Sequence, residues 1–479
     1  MARLSSLVWR DLAVDPEITG VTADSRRVRP GFLFAALPGT HLDGRRFVPA
    51  ALDAGAAAIL SGEDLPGIAA PVVRSTDPRR AYALAAAALA GAQPQTVVAV
   101  TGTNGKTSVA AFCRQIFERL GHASASMGTL GVRAGVDQLT PPGLTTPDAA
   151  DVAQMLATLA ERGVTHLALE ASSHGVDQRR LDGVRLSAAG FLNLTQDHLD
   201  YHGTMETYRA AKLRLFETLL PRGRTAVLNA DSDAFPVFAA AARIHGHTLM
   251  TVGAMGQGLN LVARRPAPGG QRLRIAAWGR EFEVILPLAG AFQASNALVA
   301  AGLCIAAGEP VEGVLAALEG LQGAPGRLQQ VGDGPRGGVA YVDYAHTPDG
   351  LATVLTALRP HAAGKLIVVF GAGGDRDRGK RPQMGAIAAD LADVAIVTDD
   401  NPRSEAPEAI RAEVMAGVHG LIEVGGRAEA IAAGVERLEK GDILVVAGKG
   451  HEQGQDIGGV VHPFDDVAVT AAALRGEHV

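Results

Sequence analysis

Residues 96–109, TVVAVTGTNGKTSV, pass without a break from an apolar strand pattern through a glycine-containing turn into a helical repeat. The repeat places apolar residues at Val109, Phe112, Ile116 and Leu120. A buried strand that feeds a helix in this way belongs to a mostly parallel sheet, because parallel neighbours need crossover helices, which then cover the faces of the sheet. The turn Gly102-Thr103-Asn104-Gly105-Lys106-Thr107-Ser108 offers backbone N–H groups and a helix N-terminus to a phosphate. Lys106 is placed to reach terminal phosphates and Thr107 to ligate Mg²⁺. The strict phosphate-loop spacing wants a glycine where Val100 stands, so the loop is a variant with a shorter glycine span.

Similar apolar runs recur along the chain, and its 479 residues suit about three domains at roughly 150 residues each. A small α/β domain is expected over 1–90, where GFLFAAL and AAAIL precede an Ala-rich helix. Alternating strands and helices (HLALEAS, AAGFLNLT, RTAVLNA) make 91–324 a central domain, with hairpin-like pieces between Gly258 and Leu288. In 325–479 four apolar strands end in polar or glycine-rich tails: VAYVDYAHTP, KLIVVFGAGG, VAIVTDDNPR and ILVVAGKGHE. Doubly wound folds bind ligands at the carboxyl ends of their strands, so these tails should crowd one edge of a Rossmann-like domain.

A net charge of -6, from 44 Lys+Arg against 50 Asp+Glu, gives no global basic field for nucleic acid or an anionic membrane. An anionic ligand must therefore be held by a local site. Cys113 and Cys304 follow neither a disulfide nor a zinc pattern, and a cytoplasmic protein is expected. No signal peptide or membrane span is expected from the hydropathy.

Glu170 ends the strand HLALE, while Asp197, His198, Asp200 and His202 follow GFLNLT. Carboxylates and imidazoles at neighbouring strand ends could hold divalent ions beside the nucleotide, or the histidines could be ordinary loop residues making local hydrogen bonds. In the helix YRAAKLRLF, Tyr208, Leu215 and Phe216 face inward, and periodicity alone would make Lys212 a solvated lysine.

TGTNGKTS, EASSHG, NLTQDHLDYHG, YRAAKLRLF, LAGAFQASN, PGRLQ, DYAHTPD, GAGGDRDRGKRP, DDNPR and AGKGHE stand in the order of the Mur ligase family. That family builds the peptide of bacterial peptidoglycan, and the resemblance spans essentially the whole chain, nearest to the branch that adds the third residue. It implies a UDP-sugar domain, a central ATPase domain and a C-terminal amino-acid domain. By this resemblance Ala23, Ser25, Thr40, His41 and Leu42 contact the uridine end, and Leu144, Thr145, Thr146, Ser172, Gln178 and Arg180 hold the muramoyl dipeptide. Lys212 matches a lysine that is carbamylated with CO₂ and so becomes a carboxylate-like Mg²⁺ ligand beside Thr107, Glu170 and His198. Asn296 matches an adenine-contacting position, and Arg327 and Asp343 match nucleotide-contacting ones. Gln293 departs from the asparagine of many relatives, which bears on adenine contact.

The implied reaction is ATP-dependent. The D-glutamate carboxylate attacks the γ-phosphate to give an acyl phosphate, with Lys106, Lys212, His198 and Asp343 in catalytic positions. The amine of the third residue then displaces phosphate, and domain closure is expected to align the substrates. Asp400-Asn401-Pro402-Arg403 with Arg376 resembles the branch that adds meso-diaminopimelate, whose distal amino-carboxylate needs a bidentate donor. Gly448 and Glu452 would hold its amino end. Arg403 could instead pair with a surface acid such as Glu405. The alternatives are a lysine-adding sibling, folylpolyglutamate synthetase, or a nucleotide-binding regulatory module. A monomer serving cell-wall synthesis, and through it cell shape and division, is expected.

Overall fold

The computed structural model describes residues 1–39, 42–135, 137–267 and 269–477; Thr40 and His41 of the uridine set lie outside the described residues. The chain divides into two compact units. The first comprises Met1–Leu261, Ala276–Arg280 and Asn296–Ala317, and the second Val262–Ile275, Glu281–Ser295 and Leu318–Val479.

In the first unit, GFLFAAL and AAAIL become the parallel strands Phe32–Ala36 and Ala58–Ser61, flanked by Gly20–Thr22 and Val72–Arg74. The helix Pro78–Ala90 packs Tyr82 and Ala85 against Leu33 and Leu60 of this sheet. It starts where the sequence allows, with Asp77 accepting from the Arg80 N–H and proline in the first turn, where a missing N–H costs nothing.

A second sheet in this unit runs, all parallel, in the order Ser124–Gly128, His166–Glu170, Thr96–Thr101, Ala188–Phe191, Thr225–Asn229 and Thr248–Gly253, beside which Leu259 and Asn260 also pair parallel. Antiparallel Gly131–Ala134 and Asp137–Thr140 extend one edge. Register decides the chemistry: Glu170 pairs with Val100 and Phe191 with Thr101. The phosphate loop, the Glu170 carboxylate and the Leu192–Asn193 turn therefore leave the sheet side by side.

The second unit orders its main strands Gln329–Asp333, Val339–Asp343, Ile443–Ala447, Leu366–Phe370, Val394–Val397 and Ile422–Glu423, all parallel except the first. The four polar tails leave one edge, as a doubly wound sheet requires. Val342, Val368, Phe370, Val445 and Ile396 fill the two faces.

Beneath that edge, Arg427 and Asp466 form an ion pair with both side chains fully buried, their two contacts each 2.7 Å. Arg427 also donates to the carbonyls of Asp399 and Ala447, tying together two of the tails. Breaking one half leaves an uncompensated buried charge. Asp466→Ala is therefore expected to cost about 3–5 kcal/mol, read as a lower thermal midpoint of this unit.

The largest correction to the periodicity reading is Lys212. It lies on the helix Met205–Arg214, which runs on into a π-turn, Leu215–Leu219, and its side chain is buried rather than solvated. Tyr208, Leu215 and Phe216 do face inward. No helix among the described residues is long and apolar enough to cross a membrane.

Candidate active site

The phosphate loop is built by tertiary contacts as much as by its own glycines. Gly105 has φ +89°, and a Cβ there would collide with the Asn296 side chain, so only glycine lets the loop close over that residue. Asn296 thus stands against the loop itself. The Asn193 side chain accepts from the Thr103 and Asn104 N–H groups at 3.1 and 2.9 Å, and the Thr103 hydroxyl meets Thr195 and Tyr208. Gly105 passes into the helix Lys106–Arg119, in which Thr107 and Ser108 are buried.

Two lysines converge on one acceptor. Lys106 Nζ donates to the carbonyls of Gly102 and Thr103, and Lys212 Nζ donates to the same Gly102 carbonyl at 2.8 Å. Burial, with the Lys106 cation second, drives the Lys212 ammonium well below its usual pKa, toward the neutral amine. Lys212 also lies 4.4 Å from the centre of the Tyr208 ring.

Glu170 is the hub of the strand edge. Its carboxylate accepts from the Thr107 hydroxyl at 3.0 Å and from the Thr129 N–H and hydroxyl at 2.9 and 3.3 Å. A threonine hydroxyl and a carboxylate held in contact beside a phosphate loop form a hard-oxygen donor pair that fits Mg²⁺. Lys212 fits such a site only as a carbamate, since its ammonium would repel the ion.

His198 lies on this side of the sheet in the left-handed region, φ +53°, with its Nε2 3.4 Å from an Asp197 carboxylate oxygen. It makes no hydrogen bond to Glu170 or Thr107 among the described residues, and its ring meets His174 at 4.9 Å. His202 is buried against the Ser173 hydroxyl at 3.0 Å, and burial lowers its pKa. His202 thus follows the ordinary hydrogen-bonded reading.

Most of the residues matched to the muramoyl dipeptide are one connected network ending on Glu170. Thr145 and Thr129 share a hydroxyl contact of 2.9 Å; Thr146 donates to the Glu170 carbonyl and accepts from Ser172. Arg180 donates to the Thr146 carbonyl and to Gln178, which in turn reaches the Tyr201 hydroxyl. Leu144 and Leu42 are exposed, and Ser25 sits in a short 3₁₀ turn capped by Asp24. Ala23 packs with Tyr82, whose hydroxyl bonds Asp148, the cap of the helix Ala149–Glu161 that follows Thr146.

In the second unit, Asp343 is buried and accepts from the Leu328 and Ala345 N–H groups at 2.6 and 2.8 Å. Burial pushes its carboxyl up to about 6 against the pull of Arg327. Its visible work is to hold the Arg327–Leu328 turn, with the Arg327 guanidinium 4.5 Å from the centre of the Tyr344 ring. Gln293, the departure from the family pattern, is fully buried and donates to the Arg327 carbonyl, so here it shapes the same turn.

The DNPR tail is anchored on both sides. Asn401 donates to Glu452 at 3.0 Å and accepts from Lys449 and the Asp456 N–H, while the carbonyl of Asp400 accepts from Gln455. Pro402 is buried, and Gly448, φ +125°, leaves room for the Asp400 carboxylate where a Cβ would clash. Arg403 donates to the Gly374 carbonyl at 2.7 Å and makes no ion pair among the described residues; exposed Arg376 makes none either. Glu405, the surface partner considered for Arg403, is instead gripped by buried Arg381 at 2.7 Å, which holds its carboxyl down to about 2.

The residues missed from sequence are Asn193, Thr129, Arg381 and Lys449. Asn193, Arg381 and Lys449 stand inside the NLTQDHLDYHG, GAGGDRDRGKRP and AGKGHE motifs, whereas Thr129 lies in no motif and reaches Glu170 across 41 residues.

Three family models match the chain: "Mur ligase family, catalytic domain" over 17–91, "Mur ligase middle domain" over 100–304 and "Mur ligase, glutamate ligase domain" over 326–450. The chain is 69% identical to the "UDP-N-acetylmuramoyl-L-alanyl-D-glutamate--2,6-diaminopimelate ligase" of Caulobacter vibrioides, covering 99% of each protein. It is 53% identical to the protein of the same name from Bradyrhizobium diazoefficiens, covering 98% of this chain and 99% of that one. A solved structure of a protein with that name superposes with TM-score 0.77 at 35% identity over 99% of each chain. A MurF ligase from Thermotoga maritima in complex with ADP shares the fold, with TM-score 0.63 at 20% identity over 96% of this chain and 97% of that one. On these matches, which run from residue 17 to 450 and extend to whole-length relatives, the chain belongs to the Mur ligase family.

Proposed function

We propose that the protein joins meso-diaminopimelate to the D-glutamate of UDP-N-acetylmuramoyl-L-alanyl-D-glutamate, with ATP converted to ADP and phosphate, in peptidoglycan precursor synthesis. The reading rests on relatives named for this ligation and, above all, on two arginines, Arg403 of the DNPR tail and Arg376 of the GAGGDRDRGKRP tail, that make no ion pair among the described residues. Relatives so named favour neither a lysine-adding sibling nor a regulatory module.

In this reading residues 1–90 bind the UDP-sugar, 91–324 bind ATP and activate the carboxylate, and 325–479 bind the amino acid. The loop N–H groups and Lys106 cradle the phosphates of ATP, and Asn296 borders the nucleotide. Arg180, Gln178, Ser172, Thr145 and Thr146 orient the dipeptide toward the Glu170 edge. Thr107, Glu170 and carbamylated Lys212 would hold Mg²⁺, with His198 joining them after a rearrangement of its exposed loop. Bound there, Mg²⁺ neutralises charge on the phosphoryl group in transfer.

The carboxylate attacks the γ-phosphorus, and the bond to ADP breaks. The diaminopimelate amine then attacks the acyl carbon, and phosphate leaves with the C–O electrons. Arg403 and Arg376 grip the distal carboxylate while Glu452 and Asp400, near Gly448, receive its ammonium.

The test is phosphate release by the pure protein with ATP and Mg²⁺. Release should require both the UDP-muramoyl dipeptide and diaminopimelate, and L-lysine should support it poorly. ATP hydrolysis unaffected by the other two substrates would refute ligation, and equal rates with lysine would refute the amino-acid assignment.

A further inference from the structure

The end of the same sheet remote from the phosphate loop carries a group that the ligation does not use. His166 opens the strand His166–Glu170, His122 lies in the turn leading to Ser124–Gly128, and Glu309 follows the helix Ala291–Ala306. One ligand atom from each falls within 4.8 Å of the others, the single such trio of His, Cys, Asp or Glu among the described residues. His122 Nε2 is 2.9 Å and His166 Nε2 3.5 Å from the same oxygen of Glu309. Four residue-to-residue steps of strand, at about 3.3 Å each, lead from His166 to Glu170, so the trio stands roughly 13 Å from the catalytic edge.

The Thr165 hydroxyl lies 2.9 Å from His166 Nδ1 and 3.2 Å from the Ala123 carbonyl, which also accepts from the Thr165 and His166 N–H groups. In the tautomer with its hydrogen on Nδ1, His166 donates to Thr165 and turns the Nε2 lone pair toward Glu309. In that tautomer a cation between the lone pair and the carboxylate oxygen relieves their repulsion. The two imidazoles lie with ring centres 3.9 Å apart.

We propose that His122, His166 and Glu309 form a binding site for a divalent transition metal of the zinc type, with a fourth position open to solvent beside half-exposed His122. Tetrahedral zinc, with bonds near 2.0–2.1 Å, sets its ligand atoms about 3.3 Å apart; the two histidine nitrogens stand 2.9 and 3.5 Å from the Glu309 oxygen, and all three atoms fall within 4.8 Å of one another. Two imidazoles and a carboxylate select zinc, cobalt or nickel over Mg²⁺, which prefers oxygen alone. The Nδ1–H to Thr165 contact is the outer hydrogen bond that zinc-ligating histidines need. The metal would clip the end of the Ala291–Ala306 helix to the strand starts, a structural role independent of the ligation.

The test uses the full chain stripped with EDTA and titrated with Zn²⁺ or Co²⁺ in excess Mg²⁺ without nucleotide. One equivalent should bind, and Co²⁺ should give the visible absorption of low-coordinate imidazole ligation. Zn²⁺ at 100 times its Kd should raise the folded-to-unfolded ratio about 100-fold. His122→Asn, at a half-exposed position, should abolish the band with an unchanged near-UV spectrum. Thr165→Val, which leaves all three ligands, should weaken binding about 10–100-fold. No stoichiometric metal in the wild-type protein, or a band that survives His122→Asn, would overturn the proposal.

Discussion

Lys212→Ala should lower diaminopimelate-dependent phosphate release by about 10²–10³-fold, the cost of removing one charge-stabilising group from a phosphoryl-transfer site. Short-chain carboxylates such as acetate should restore part of it. The physical case begins with the shared Gly102 carbonyl, where two ammonium groups would repel each other with little water to screen them. Burial already favours the neutral Lys212 amine, and a neutral amine is the form that adds CO₂. The carbamate so formed replaces a second cation with an anion facing Lys106. Wild-type activity should accordingly fall in buffer stripped of CO₂ and recover with bicarbonate. An alanine variant as active as the wild type would show that Lys212 serves packing alone.

Arg403→Ala is expected to lower kcat/KM for meso-diaminopimelate by roughly 10⁴-fold, the discrimination lost when a buried polar partner goes missing, while the Kd for ATP stays nearly constant. The bland outcome, a surface arginine paired with Glu405, is not what the structure has: that carboxylate is held by Arg381 and the Asp375 N–H instead. What remains to Arg403 is the Gly374 carbonyl, which uses one N–H and leaves the rest of the guanidinium fork for a ligand. Arg403→Lys should recover little, since a point charge cannot reproduce two parallel bonds to one carboxylate. A common loss of diaminopimelate turnover and ATP affinity would mean that the tail had collapsed.

The phosphate loop, the strands that precede it and the four polar tails were legible because each is written in adjacent residues: apolar runs, glycine at a turn, Lys and Thr at a helix start. Ten ordered motifs carried the family as well. Lys212 shows where such reading ends. Nothing within a helical turn of it predicts burial, which comes from its approach to Gly102, 110 residues earlier in the chain. The bond between Thr107 and Glu170 spans 63 residues and depends on the register of two parallel strands. Gln293, which by resemblance bears on adenine contact, also holds the Arg327 turn, and Glu405 is held not by Arg403 but by an arginine 22 positions from it. Local sequence fixes which groups end a strand, because periodicity acts over a few residues. Which of those groups meet, and which lose their charge on meeting, depends on long-range packing and desolvation, and only the folded chain sets these.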